Sequence, residues 1–384
     1  MTYANIILPL PLEGLFTYGV PDALASRVQV GVRVRVPLGK SKTYVGIVAE
    51  YPVALPASDS GVVDNEKKIV YKDILEVLDA TPILLPQQLR LWRWISDYYM
   101  SPIGDVYKAA LPSGLKAEDG YRPRTELYVR LADNFRNERS LTLMIDAMKR
   151  ASKQVEVLMA YLRLAGVDGV EHLTTETPLR EVTREELMND THTTIGVIRA
   201  LSDRKLLVTY EKEVGRLNDN VLPHPEHIKP LNEAQTEAYN QILIQMMGHP
   251  VTLLHGVTSS GKTEIYIHLI QKAIDEHKQV LYLLPEIALT VQITERLKAV
   301  FGNRLGIYHS KYSDAERVEI WQKQLSAQPY DVILGARSAV FLPFQRLGLV
   351  IIDEEHEATY KQDSNPRYHA REVALLRAQY HQAV

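Results

Sequence analysis

Cysteine is absent from this sequence. Its absence excludes disulfide bonds and thiolate metal sites, and agrees with a reducing compartment. Long apolar runs are also missing. The N-terminal segment lacks a basic n-region and is interrupted by Pro9 and Pro11, and no later segment reaches the length of a membrane span. We therefore expect a soluble, cytoplasmic protein with no membrane partner.

An excess of one charge is missing as well. The 44 Lys and Arg residues nearly balance the 47 Asp and Glu residues, giving a net charge of -3. This balance excludes a uniformly basic nucleic-acid coat protein but leaves room for local basic patches. With 384 residues and 46% hydrophobic content, the chain is long and apolar enough for roughly two or three domains.

The stretch HGVTSSGKT at 255–263 is typical of a phosphate-binding loop. It follows the apolar run 251–254, predicted to be a buried strand, and precedes a helix predicted over 263–277. Glycines let backbone N–H groups and the helix N-terminus face phosphate oxygens, while Lys262 reaches the β and γ phosphates and the Thr263 hydroxyl completes the Mg²⁺ shell. The predicted nucleotide-binding residues here are Gly256, Thr258, Gly261, Lys262, Thr263 and Glu264.

An acidic turn, Asp-Glu-Glu-His, follows the apolar run 347–352. Asp353 is expected to hold Mg²⁺, and Glu354 to orient and deprotonate the water that attacks the γ-phosphate. An acidic turn after a strand, taken alone, is as often structural as functional. Together with the upstream loop it predicts one site for nucleotide hydrolysis, with Lys262, Asp353 and Glu354 as catalytic residues. His356 either bridges this site to a neighbouring surface or is a partly exposed, hydrogen-bonded histidine.

Proline-rich and glycine-rich boundaries divide the chain. Residues 1–110 are predicted to form a β-rich domain closed by a helix at 86–99. The basic residues of this domain could line a phosphate-binding face or simply lie on a solvated strand face. The predicted strands are 4–8, 31–36, 44–49 and 70–78, and the basic residues are Arg27, Arg33, Arg35, Lys40 and Lys42.

Residues 111–125 are predicted to be a linker, and 126–214 to contain three helices followed by a strand. That order is typical of a winged helix-turn-helix, with 193–202 as the recognition helix, although a protein-contact or spacer domain fits nearly as well. A second linker spans 215–230. Apolar runs alternate with helices over 231–384, which predicts a parallel sheet covered on both faces. The fold class is therefore α/β multidomain.

Six ordered motifs of the last region resemble the first helicase lobe of the PriA family of superfamily-2 replication-restart DNA helicases. They are GVTSSGKTE, LLPEIAL, YHS, GARSAVF, DEEH and YKQ…RYHARE. The segments LPLPLEGLFTYGVP, VRVRVPLGK and YKDILEVLD resemble the family's 3′-end DNA-binding domain. The resemblance implies a small β-rich DNA-binding domain, a winged-helix domain and a RecA-like lobe.

The resemblance also implies roles for individual residues. Gln235 is expected to read adenine, giving a preference for ATP or ADP. A coupling loop is expected to link DNA binding to hydrolysis, with Tyr360, Tyr368 and His369 stacking on bases. Its predicted residues are His356, Tyr360, Arg367, Tyr368, His369 and Arg371. The predicted DNA-binding residues of the lobe are Glu286, His309, Ser310, Arg337 and Ser338.

In the N-terminal domain, the resemblance implies a pocket for a DNA 3′ end formed by Phe16, Thr17, Gly39 and Lys72. One member of the family has an aspartate where this chain has Thr17, so the resemblance implies that a carboxylate contact to the terminal 3′-hydroxyl is lost here. A weaker hydroxyl contact or a different pocket geometry takes its place.

The resemblance implies a 3′ to 5′ DNA helicase that recognises stalled forks and starts primosome assembly, with forked and single-stranded DNA, single-strand-binding protein and other primosome proteins as partners. It also implies a second lobe with an arginine finger, and zinc bound by cysteines that this chain lacks, so we expect the front part of a longer protein that binds nucleotide but hydrolyses it slowly. The alternatives are a DNA translocase or RNA-directed helicase of the same superfamily, and a non-catalytic fork-binding module.

Overall fold

The computed structural model describes residues 2–54, 71–117, 121, 123–215, 217, 221–257 and 260–384. Its contacts divide the chain into two compact units. The large unit comprises Met1–Tyr121 with Leu217–Val384, and the small unit comprises Arg122–Arg216. No helix in these described ranges is long and apolar enough to cross a membrane. The domain boundaries predicted from the sequence stay predictions.

An antiparallel five-stranded sheet begins the large unit, in the order β2-β1-β4-β3-β5. Val34 and Val36 of β3 are buried whereas Arg33 and Arg35 alternate with them, as the period of two for a strand requires. The strands are β1 (Thr2–Ile7), β2 (Phe16–Val20), β3 (Arg33–Leu38), β4 (Lys42–Val53) and β5 (Glu76–Val77). The predicted strands 4–8, 31–36 and 44–49 correspond to β1, β3 and β4. The predicted strand 70–78 is reduced to β5, and its first residue, Val70, lies outside the described residues.

The basic residues of this sheet are largely engaged within the protein. The guanidinium of Arg33 is only 11% exposed and lies 2.7 Å from the Asp79 carboxylate, and Arg35 lies 3.2 Å from Glu76. Arg27 donates to the carbonyl oxygen of Val77. Arg33 therefore forms a structural ion pair with Asp79. The sequence had suggested only a phosphate-binding face or a solvated strand face for this residue.

Three helices follow, α1 (Pro86–Tyr98), α2 (Ile103–Ala110) and α3 (Ser113–Lys116). Pro86 suits the first position of α1. A backbone N–H at that position has no acceptor within the helix, so proline, which lacks an N–H, loses no hydrogen bond there. The predicted helix is confirmed, and Trp92 lies fully buried on its inner face. The helical turn α3 falls within the segment predicted to be a linker.

The small unit contains the predicted helices and the predicted final strand. Its elements are β6 (Thr125–Leu131), α4 (Glu138–Ala147), α5 (Ser152–Leu164), β7 (Val182–Thr183), α6 (Arg184–Thr191), α7 (Ile195–Asp203) and β8 (Leu207–Glu213). The three strands pair antiparallel in the order β7-β6-β8. Arg199 of α7 and the adjacent Arg204 are both exposed.

A parallel four-stranded sheet forms the rest of the large unit, in the order β10-β11-β9-β12. Its strands are buried almost throughout, which is typical of a sheet covered on both faces. The elements are α8 (Glu233–Gly248), α9 (Lys262–Asp275), β9 (Gln279–Leu283), α10 (Val291–Phe301), β10 (Leu305–Tyr308), α11 (Asp314–Leu325), β11 (Val332–Gly335), β12 (Leu347–Ile352) and α12 (Ala370–His381). The predicted parallel-sheet lobe is confirmed.

One predicted strand of this lobe is wrong. Residues 251–254 form no strand in the structure, and Val251 and Leu253 are 58% and 75% exposed. The outer edge of β12 instead pairs with the end of the chain, since the Val350 N–H donates to the Val384 carbonyl at 2.7 Å. A strand needs a neighbouring strand to bind its backbone N–H and C=O groups. The apolar composition of residues 251–254 alone was therefore not enough to form one.

The helices α1 and α2 share one hydrophobic core with the parallel sheet. Trp92 and Trp321 are both fully buried in it. Hydrogen bonds reinforce the contact: the Gln88 amide donates to the Phe341 carbonyl at 2.8 Å, and the Trp321 indole donates to the Ile83 carbonyl at 2.9 Å. The N-terminal helices therefore pack as part of the lobe that carries the predicted nucleotide site.

Candidate nucleotide site and nucleic-acid interface

The phosphate-binding loop meets α9 at Gly261, whose φ of +83° lies in the left-handed region. A Cβ at this position would lie 2.3 Å from the Gln235 Nε2 atom and would displace that side chain, and the positive φ itself favours glycine. The Gln235 side chain donates to the Gly261 carbonyl at 3.2 Å and accepts from the Asn232 N–H at 3.0 Å. Its amide thus joins the start of α8 to the loop. Thr258 lies outside the described residues.

Lys262 connects the loop to the acidic turn. Its Nζ atom donates to the Gly256 carbonyl at 2.8 Å and lies 4.0 Å from the Glu354 Oε1 atom. The two motifs are nearly a hundred positions apart in the chain, and the fold brings Lys262 and Glu354 close to each other. Thr263 follows in the first turn of α9, and Glu264 pairs with Arg296.

Asp353 is held rigidly at the carboxyl end of β12. One of its carboxylate oxygens accepts from the Tyr282 hydroxyl at 3.1 Å, and the other accepts from the Glu354 N–H at 3.1 Å. Burial, with the Asp353 carboxylate nearby, raises the pKa of Tyr282 well above its ordinary value, so that hydroxyl remains a donor. The Tyr360 hydroxyl donates to the carbonyl oxygen of Asp353 at 2.7 Å.

Glu354 has a φ of +48°, which is uncommon for a residue with a Cβ. The Glu354 carboxylate lies near the side chains of Lys262 and His356. The His356 Nε2 atom lies 3.8 Å from Glu354 Oε2, and its ring is 69% exposed. Its predicted bridging role stays a prediction.

A cavity of about 600 Å³ opens beside the acidic turn, within the range of small-ligand sites. Apolar residues of β12 and of 251–257 line one part of it, and Lys262, Glu354 and Arg371 line the polar part. The cavity therefore combines apolar walls with charged groups of both signs.

The donor atoms here suit Mg²⁺ bound together with a nucleotide. Thr263 and Asp353 offer a hydroxyl and a carboxylate, the hard oxygen ligands that Mg²⁺ prefers, and Mg²⁺ sites on phosphates need only one or two protein ligands. Within the described ranges no cluster of three or more His, Asp or Glu side chains could hold an ion by itself. The cysteine ligands that the family resemblance implies for zinc are absent from this chain.

The aromatic residues of the predicted coupling loop are placed differently from the prediction. Tyr360 and Tyr368 are 0% and 1% exposed. Tyr360 supports Asp353, and the Tyr368 ring meets Phe341 edge-on at 4.9 Å between centroids. Both rings are buried in the hydrophobic core, so neither has a free face on which a DNA base could stack. Their coupling role stays a prediction.

The remaining residues of the coupling loop are more accessible. His369 caps α12, its Nδ1 atom accepting from the Arg371 N–H at 3.3 Å, and burial lowers its pKa, with the Arg371 charge adding to the shift. Arg371 pairs with Glu355 of the acidic turn. Arg367 is exposed with a φ of +52°.

The predicted DNA-facing residues of the lobe differ in accessibility. Glu286 and Ser310 are exposed, while His309 and Ser338 are partly buried. Arg337 is tied to the coupling loop, since its Nη1 atom donates to the carbonyl oxygens of Thr359 at 3.2 Å and Lys361 at 2.9 Å.

In the N-terminal sheet, the Lys72 ammonium contacts the Gly39 carbonyl at the turn between β3 and β4. Gly39 has a φ of +68°, so the turn depends on glycine. Phe16 and Thr17 lie at the start of β2, and the Lys72 carbonyl accepts from the N–H of Gly19, further along that strand, at 2.9 Å. Hydrogen bonds thus tie Lys72 to Gly39 and to β2.

Sequence reasoning missed Tyr99, at the C-terminus of α1. Its hydroxyl accepts from the His369 N–H at 3.1 Å and donates to the Glu372 carboxylate. Burial, with Glu372 nearby, raises the pKa of Tyr99 far above its usual value. The predicted helix at 86–99 gave no sign of these contacts, because no local pattern reveals a partner so distant in the chain.

Three consecutive regions of the chain match known domain families. Residues 5–112 match a 3′DNA-binding domain (3′BD), residues 126–214 match a winged helix domain of PriA helicase of Bacteroidota, and residues 232–382 match the DEAD/DEAH box helicase family. The second match confirms the winged-helix prediction.

Curated relatives match over nearly the whole chain. Replication restart protein PriA of Haemophilus influenzae is 34% identical over 99% of this chain and 48% of its own length. The PriA proteins of Bacillus subtilis and Chlamydia trachomatis are 32% and 33% identical, over 99% and 98% of this chain and 52% and 47% of their own lengths. The chain thus spans about half the length of these relatives.

Proposed function

The chain joins a PriA-type 3′ DNA-binding domain, a PriA-type winged-helix domain and a DEAD/DEAH box helicase lobe, and on this premise we propose that it is the fork-recognition and ATP-binding part of a replication-restart helicase. The activity proposed is ATP-dependent 3′ to 5′ DNA unwinding that begins primosome assembly at stalled forks. The proposed partners are forked and single-stranded DNA, single-strand-binding protein and other primosome proteins, in the cytoplasm.

The observation that carries the proposal is the position of Lys262. Its ammonium lies between the Gly256 carbonyl and the Glu354 carboxylate, so the phosphate loop and the acidic turn face one space. In that space Lys262 and the N–H groups that begin α9 bind phosphate oxygens. Thr263 and Asp353 would hold Mg²⁺, which supplies charge neutralisation on the phosphates when bound.

Glu354 is the proposed base for the attacking water, because it lies beside Lys262 with its backbone fixed by the Asp353 carboxylate. Gln235 is proposed to read adenine, since its amide already touches the loop. We propose slow hydrolysis by this chain alone. The family resemblance assigns the arginine finger to a second lobe, and such a finger contributes about 10³- to 10⁵-fold in rate.

Replacing Lys262 tests the proposed nucleotide site. Lys262→Ala should abolish binding of a fluorescent ATP analogue in the presence of Mg²⁺, since the phosphate contact is lost. Lys272→Ala is the matched control, because Lys272 lies on the same helix but pairs with Glu276 on its exposed face. Normal nucleotide affinity in Lys262→Ala would reject the site.

Forked DNA tests the motor function itself. Hydrolysis of ATP should be slow without DNA and rise when a fork is added. Nucleotide binding with no hydrolysis under either condition would instead favour a non-catalytic fork-binding module.

A further inference from the structure

The predicted DNA-facing residues Arg337 and Ser338 begin a short 3-10 helix, Arg337–Phe341. We call this segment the Arg337 turn. Its first two residues are partly exposed, whereas Phe341 and the following Leu342 are 1% and 0% exposed. The end of the turn therefore carries backbone carbonyl groups into the core, where each needs a hydrogen-bond donor.

Three consecutive carbonyl oxygens at this buried end accept from side chains of two other helices. The Arg377 guanidinium of α12 donates to the carbonyls of Val340 and Leu342. Between them, the Phe341 carbonyl accepts from the Gln88 amide of α1 at 2.8 Å. The turn is thus held from two sides, by a helix of the parallel-sheet lobe and by a helix that comes before the small unit in the chain.

The orientation of the Gln88 amide is fixed. Its Oε1 atom accepts from the Leu85 N–H at 2.9 Å, a group that can only donate, so its NH₂ group must face Phe341. Because Gln88 is only 2% exposed, an apolar side chain in its place would remove the donor that the buried Phe341 carbonyl uses. The start of α1 and the end of the Arg337 turn therefore depend on one side chain.

Arg377 is a buried charge rather than a surface cation. It is 2% exposed, and its guanidinium carbon lies 4.8 Å from the centroid of the Phe344 ring. Burial lowers the pKa of Arg377 to about 9, so the group remains charged at neutral pH. Burying a charge costs free energy unless hydrogen bonds satisfy it, and here two carbonyl groups of one segment do so. An arginine placed in this way fixes the backbone that it binds.

We propose that Gln88 and Arg377 are positioning residues for DNA binding. By holding the buried end of the Arg337 turn, they set where Arg337 and Ser338 meet single-stranded DNA. This inference rests on the proposed DNA contact of that turn. Through Gln88, the N-terminal region contributes to a DNA site of the helicase lobe, although Phe341 lies 253 positions further along the chain.

The test measures binding of a fluorescein-labelled, circular single-stranded DNA, which offers no 3′ end to the N-terminal domain. Each affinity is divided by the affinity of the same preparation for a fluorescent ATP analogue with Mg²⁺, so a loss of folded protein cancels. Arg337→Ala should weaken DNA binding about tenfold, and Gln88→Leu about fivefold, the effects of one charged and one neutral hydrogen bond. Gln87→Leu, at an exposed position beside Gln88 on α1, is the matched control and should leave the ratio unchanged.

A combination of substitutions separates positioning from general stability. If Gln88 acts through the Arg337 turn, Gln88→Leu should weaken DNA binding less than about twofold once Arg337→Ala is present, because residues that act through one another are not additive. A purely structural role would lower the affinity by the same factor in both backgrounds. Arg377→Met fills the buried space without a charge, so it should behave as Gln88→Leu does and provides a second, independent variant.

The two levels of the proposal fail differently. If the wild-type protein does not bind the circle, the proposed single-stranded DNA function of the chain is rejected. If it binds but Arg337→Ala does not weaken binding, the Arg337 turn is not the contact and the inference fails with it. Equal losses for Gln88→Leu with and without Arg337→Ala, or no loss in either Gln88→Leu or Arg377→Met, would overturn the positioning role alone.

Discussion

The two halves of the nucleotide site are supported in different ways. The acidic turn follows β12, a buried strand, and two tyrosine hydroxyls bind Asp353. The phosphate loop follows residues 251–255, which form no strand and expose Val251 and Leu253. One half thus directly follows a strand of the sheet, whereas the other half has no strand before it. Lys262 links this second half to Glu354, and Gln235 links it to α8. The proposed catalytic carboxylates are therefore held by more contacts than the proposed phosphate loop.

The largest expected difference between the two halves is in how substitutions before each motif, in β12 and in residues 251–255, change the free energy of unfolding. Ile351→Ala in β12 should reduce the free energy of unfolding by about 2–5 kcal/mol, because it leaves a cavity in a buried strand. Leu253→Ala should change it by no more than about 0.5 kcal/mol, since that side chain is exposed. Denaturant unfolding followed by tryptophan fluorescence measures both, and all three tryptophans lie in the large unit. Equal losses would remove the contrast.

Tyr360→Phe tests the support of the acidic turn alone. The ring still fills its place, but the carbonyl oxygens of Asp353 and Leu283 lose a donor. We expect a loss of about 1–3 kcal/mol in unfolding free energy, with ATP-analogue affinity less affected than hydrolysis. The buried Tyr308→Phe, whose hydroxyl instead accepts from Arg317, is a comparison outside the turn. An unchanged hydrolysis rate in Tyr360→Phe would show that the turn does not need this bond.

The smallest expected effect concerns pH. Burial, assisted by Arg377, lowers the pKa of His381 in α12 to about 4. The unfolded state binds this proton near pH 6.5, so the stability from neutral His381 is complete above that pH and is lost as the pH falls toward about 4. His381→Gln should therefore flatten the decline in unfolding free energy over this interval. The same slope in both proteins would exclude His381 as its source.

Much of the site could be predicted because each part is local. A phosphate loop is a contiguous pattern, and Gly261 needs only its own φ and the neighbouring Gln235 to explain it. The acidic turn likewise follows directly from an apolar run. The burial of Tyr360 and Tyr368 was not predictable in this way, since an aromatic residue in a loop can pack inward or outward and only the surrounding core decides which.

By itself, the sequence determined the parallel lobe, the two nucleotide motifs and the winged-helix order, because periodicity and short motifs are properties of neighbouring residues. Tertiary structure alone decided that 251–254 lacks a strand partner, that Tyr99 meets His369, and that Glu50 joins Asn5. Glu50 and Asn5 are 45 positions apart and meet through a bulge. Such contacts depend on register and packing between distant segments, and no local pattern of residues encodes them.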